Sequence, residues 1–89
     1  MTFTLDTSRG LVIEDAGSPW EIRWTIEEAK ARQGRLEAEA AKHERAADVA
    51  ARAGRTIAAD TALAMLSYHA DMARELFTVL QGAVTVEAA

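Results

Sequence analysis

His43 and His69 are the only two histidines in this 89-residue sequence, and histidine alone titrates near neutral pH without perturbation. A hydrolytic or acid–base enzyme would use one of them, or a pair of carboxylates with one member raised. His43 follows Glu39 by one helical turn and falls on a narrow stripe of small residues. His69 lies at the edge of a wide apolar arc. A packing or hydrogen-bonding role is expected for each, rather than ligation or catalysis.

The other chemistry-bearing patterns are missing. A two-metal site inside a helical bundle wants a Glu-x-x-His pair on one helix, and none occurs, so no metal and no cofactor is expected. Gly-rich phosphate loops, a Gly-x-Ser-x-Gly elbow and a His-Glu-x-x-His pair are also absent. The chain has no cysteine, which removes disulfides, thiolate–zinc sites and cysteine nucleophiles. No catalytic residue is assigned, and the chain is read as non-enzymatic.

Charge narrows the partners. Ten basic residues against fourteen acidic ones give a net charge of −4, whereas affinity for nucleic acid rests on Lys and Arg neutralising phosphates. Arg52 and Arg55 flank a helix reversal, but the two helices are too long for a helix-turn-helix. Direct nucleic-acid binding is therefore not expected. Residues 19–53 carry seven acids and seven bases, so the negative excess lies at the two ends. Scattered acids such as Glu14, Asp15, Asp60, Asp71, Glu75 and Glu87 read as solvating groups. Trp20 and Trp24, one turn apart, read as core.

The elements that would position these residues are set by periodicity. Phe3 and Leu5 share one face of an alternating segment, Leu11-Val12-Ile13 comes after it, and Thr7-Ser8-Arg9-Gly10 supplies the turn, which predicts a β-hairpin within residues 1–17. Ser18-Pro19-Trp20-Glu21 has the grammar of a helix start: a Ser cap, Pro at the first turn and Glu at the third position. A first helix over 18–54 is predicted, with a three-four spaced stripe of Ile22, Ile26, Ala29, Gln33, Leu36, Ala40, His43, Ala47 and Ala50. Gly34 is its weak point, marking a bend or a close contact.

Gly54 stops that helix and Thr56 caps a second one over 56–82, which Gly82 ends. Residues 83–89 then form a short strand or a tail. The result is a single domain over 1–89 of α+β class, predominantly α: a long antiparallel helical hairpin with a small N-terminal β-hairpin, in ββααβ order if the last segment joins the sheet. Phe3, Leu5, Val84, Val86 and the two tryptophans would form its compact core.

Alanine supplies 20 of the 89 residues, so the first helix offers a narrow seam. On the second helix Leu63, Leu66, Ala70, Ala73, Phe77 and Leu80 share a face, and Met65, His69, Met72, Leu76 and Val79 extend it sideways. One alanine-lined helix cannot cover an arc of roughly 200°, about twice the usual width. Met65, Leu66, His69, Met72, Leu76, Phe77, Val79 and Leu80 are thus the expected partner-binding residues, and the partner is a protein, either a second copy or a larger assembly.

The expected function is protein–protein interaction through the helical hairpin, in a phage or mobile-element setting. The alternatives are a small acidic inhibitor of a host nucleic-acid-processing complex, in the manner of anti-CRISPR proteins, and a small helical enzyme using His43 or His69. Without a basic-then-apolar leader or an apolar run of ~20 residues, the chain is expected to be cytoplasmic and to engage no membrane.

Overall fold

A computed structural model describes the backbone of residues 2–88 and the side chains of residues 2–83. The elements are β1 (Phe3–Asp6), β2 (Leu11–Glu14), β3 (Ile22–Thr25), α1 (Ile26–Arg52) and α2 (Thr56–Ala88). The α+β class with a helical hairpin is thus present. Two compact units divide the chain: one joins Met1–Gln33 with Arg74–Ala89, and the other is Gly34–Ala73.

The first unit holds an antiparallel sheet in the order β1-β2-β3. Phe3 pairs with Glu14 and Leu5 with Val12, while Val12 pairs with Trp24 and Glu14 with Ile22. Directly opposed residues share a face, so Phe3, Leu5, Val12, Glu14, Ile22 and Trp24 line one side. The turn between β1 and β2 is locked by Asp6, whose Oδ1 accepts from the Ser8 and Arg9 backbone N–H groups and from the Ser8 hydroxyl. Those bonds hold the Asp6 carboxyl below its ordinary pKa, the Ser8 hydroxyl contributing most. The buried apolar residues include Phe3, Val12, Ala29, Leu76, Leu80 and Ala83.

The expected helix start at Ser18 is instead a turn leading into β3. The Ser18 hydroxyl does accept from the Trp20 N–H, and the Ser18 carbonyl from the Glu21 N–H. The Glu21 carboxylate, however, accepts from Gly17 N–H, outside the turn. The next segment, Ile22-Arg23-Trp24-Thr25, alternates and is rich in β-branched and aromatic residues, so pairing with β2 prevails over helix propagation. Helix α1 begins one motif later, at a second Thr-x-x-Glu box. Glu28 N–H donates to Thr25 Oγ1 at 3.1 Å, and Thr25 N–H donates to Glu28 Oε1 at 3.0 Å. Trp20, expected in the core, is 77% exposed on the turn.

The C-terminal strand is corrected as well. Helix α2 runs through Gly82 to Ala88, so the third strand is β3 and the order is βββαα. A lone glycine costs a helix about 1 kcal/mol, which a long helix absorbs, and Gly82 lacks the positive φ that a stop requires. Val84 and Val86, expected in the core, lie outside the residues whose side chains are described, as does the backbone of residue 89.

The second unit is the reversal and the helical segments beside it. Gly54 stops α1 as expected, with φ +72°. Its N–H donates to Ala51 O at 3.1 Å and the Arg55 N–H to Ala50 O at 2.9 Å, the paired bonds of a Schellman turn. The Arg55 carbonyl then accepts from Ala59 N–H at 2.9 Å, so Arg55, and not Thr56, occupies the cap position of α2. The reversal is tight because one residue closes one helix and opens the next.

Burial tracks the predicted stripe on α1 from Ala29 onward: Ala29, Leu36, Ala40, Ala47 and Ala50 are buried. On α2 the buried positions are Ala59, Ala62, Met72, Ala73, Leu76, Leu80 and Ala83. With half-buried Leu66 and His69 they form a seam at alternating spacings of three and four. Leu63 and Phe77, expected on the apolar face, are exposed. An alanine-lined helix accepts small residues opposite it, which admits Ala59 and Ala62 and pushes the larger Leu63 to the flank.

Candidate functional site

In the second unit the seam carries two imidazoles where alanine or leucine would be ordinary. His43 and His69 stack with ring centroids 5.1 Å apart and planes 23° from parallel. The Tyr68 ring stands edge-on to His69 at 5.3 Å. Glu39, one turn before His43, places a carboxylate oxygen 3.7 Å from His43 Nε2. His69 Nδ1 lies 2.8 Å from the Met65 carbonyl oxygen. A carbonyl only accepts, so that nitrogen is the donor, which leaves Nε2 as the ring atom able to coordinate.

One donor atom from each of Glu39, His43 and His69 lies within 4.8 Å of the other two. The side chains of His43 and Glu39 are 21% and 47% exposed, so the cluster is open to solute. Sequence reasoning placed His43 on the α1 stripe and His69 at the edge of an arc but did not bring them together. Their common signal was register: His43 stands 11 residues before Gly54 and His69 15 after it, within about one helical turn of level.

The expected partner-binding residues separate into two sets. Met72, Leu76 and Leu80 are buried within the chain, whereas Met65 and Phe77 are exposed. Leu66, His69 and Val79 are half-buried. Pattern reading missed Val49, Ile57 and Tyr68. Together with Leu63 and Met65 they make five large exposed apolar side chains in the second unit, Ile57 at 84% and Val49 at 67%. Two shallow grooves are lined in part by Val49 and Leu63. Val49 lines one with Ala46, Ala50, Ala53 and Ala58 between Arg45 and Arg55. Leu63 lines the other with Ala47, Ala51 and Ala59 beside Glu44, Arg45 and Asp48.

In the first unit the buried charge is Glu14, 7% exposed. Its Oε1 accepts from the Trp24 indole N–H at 3.1 Å and from Arg32 Nε at 3.4 Å, and its Oε2 from Arg32 Nη2 at 3.4 Å. A carboxylate with its lone pairs occupied by a fork and an indole is a satisfied structural group. It fastens β2, β3 and the first turns of α1 to one another.

No protein-family model, curated protein or solved structure matches the chain. Among the described residues no helix is long and apolar enough to cross a membrane.

Proposed function

We propose that this chain is a protein–protein interaction module that self-associates through the helical hairpin of its second unit, with no catalytic role. The observation that carries the reading is the pairing of exposed apolar side chains with alanine-floored grooves on the same unit. Val49 and Leu63 are knobs, the alanines that line the grooves with them are holes, and Ile57 is a further exposed knob. A surface that holds both can be self-complementary, as a two-fold interface requires, because the knobs of each copy can then enter the holes of the other. Both grooves carry charge beside their alanines: Arg45 and Arg55 line one, and Glu44, Arg45 and Asp48 line the other.

Burying Ile57, Val49 and Leu63 against a second hairpin would contribute about 1.5–3 kcal/mol for each fully covered side chain. The test is sedimentation velocity on Val49→Glu and Leu63→Glu beside the parent chain. Each position is exposed, so each variant keeps its helical circular dichroism. The parent is expected to associate, and the variants to sediment as single chains. Variants that associate as the parent does would overturn the reading.

A further inference from the structure

We propose that Glu39, His43 and His69 form a site for one divalent transition-metal ion of the zinc class, held by two imidazoles and one carboxylate with an open position for water. Zinc favours nitrogen and carboxylate donors at about 2.0–2.2 Å, and three protein ligands with an open fourth position are its usual arrangement outside purely structural sites. Donors of a tetrahedral ion at that distance stand about 3.4 Å apart. The three groups are already within 4.8 Å of one another, so closure takes small side-chain rotations of about an ångström per donor and no backbone rearrangement.

Three features beyond proximity point to an ion. The hydrogen bond from His69 Nδ1 to the Met65 carbonyl is what a metal-bound histidine makes: it fixes the tautomer and directs the Nε2 lone pair outward. Glu39 and His43 are spaced i,i+4 on α1, with the carboxylate facing Nε2 at 3.7 Å, so both α1 donors meet on one side of the helix. His69 comes from α2, so the ion would bridge the two helices of the unit. The two stacked imidazoles stand in a seam otherwise made of alanine, leucine and methionine, where apolar packing alone does not call for ring nitrogens.

The experiment uses the untagged full chain, freed of metal, titrated with zinc chloride against a chromophoric chelator and separately with cobalt(II) as a spectroscopic probe. One ion per chain is expected, with saturable affinity and the visible bands of a low-coordinate cobalt site. His43→Gln and His69→Gln keep side-chain volume, and each should weaken binding by about 100-fold or more; Glu39→Gln should weaken it by about tenfold. Asp60→Asn, an exposed carboxylate on α2 outside the donor set, should leave it unchanged. Imidazole nitrogen NMR of the parent chain supplies a readout independent of the variants' folding: zinc should move the Nε2 resonances of both rings and leave His69 Nδ1 protonated.

No saturable binding, binding that survives both histidine replacements, one ion per two chains, or imidazole resonances that do not respond would each overturn the assignment. None of these readouts depends on self-association, so the two proposals fail separately.

Discussion

Replacing glycine by alanine at two places in the second unit should have opposite signs. Gly54 has φ +72°, in the left-handed region that costs an L-residue about 1–2 kcal/mol. A Cβ built there meets nothing within 4 Å, so backbone strain is the whole folded-state cost. The substitution also trims unfolded-chain entropy by about 0.4–1 kcal/mol, which leaves a net destabilisation of about 1 kcal/mol. Gly34 sits inside α1 without positive φ, and its Cβ would likewise meet nothing within 4 Å. There alanine should stabilise by about 1 kcal/mol. For a domain of this size each change corresponds to about 4–8 °C in Tm, so the two variants should lie on either side of the parent. The assay is urea and thermal unfolding monitored by far-ultraviolet circular dichroism, at one fixed protein concentration because association shifts apparent stability. A neutral or stabilising Gly54→Ala would refute the left-handed reversal, and with it the register that joins His43 to His69. A destabilising Gly34→Ala would mean that another part of the chain packs against that backbone.

Three further outcomes concern the first unit. Arg32→Met leaves the buried Glu14 carboxylate with the Trp24 indole as its donor. It should cost about 2 kcal/mol in urea unfolding, below the ~3–5 of a fully buried pair because Arg32 is part-exposed. Adding Glu14→Leu to that variant should recover most of the loss. Thr25→Ala removes the hydroxyl that caps α1 and should cost about 1 kcal/mol by the same assay. The Glu28 carboxyl is held below its ordinary pKa by the Thr25 N–H and then the Thr25 hydroxyl, and Glu21 by the Gly17 N–H and then Arg23. Groups lowered in the folded state stabilise above their unfolded pKa, near pH 4, and lose that contribution as pH falls through the folded value. The urea midpoint should therefore decline on acidification below about pH 5, and Glu28→Gln should flatten that decline.

The hairpin, its reversal at Gly54 and the α1 seam were legible because each rests on local chemistry: alternation, a glycine that can turn left-handed, and three-four spacing. The start of α1 was not, since the sequence holds two boxes of the same grammar, Ser18-x-x-Glu21 and Thr25-x-x-Glu28. Only the pairing of β3 with β2 decides between them, and that is a tertiary fact. The α2 seam was misplaced for a related reason. Weighting by side-chain size centres the face on Leu63 and Phe77, whereas the alanine-lined α1 selects Ala59, Ala62 and Ala73 for burial. The Glu39–His43–His69 cluster escaped notice because its spacing pattern spans two helices.

The second unit leaves Val49, Ile57, Leu63, Met65 and Tyr68 exposed. Sedimentation equilibrium of the untagged chain over a hundredfold or so range of concentration tests the consequence most directly. Self-association predicts a mass that rises from that of one chain, 9.6 kDa, toward an integer multiple as concentration increases. A mass that stays at one chain throughout, with the helical signal intact, would contradict it.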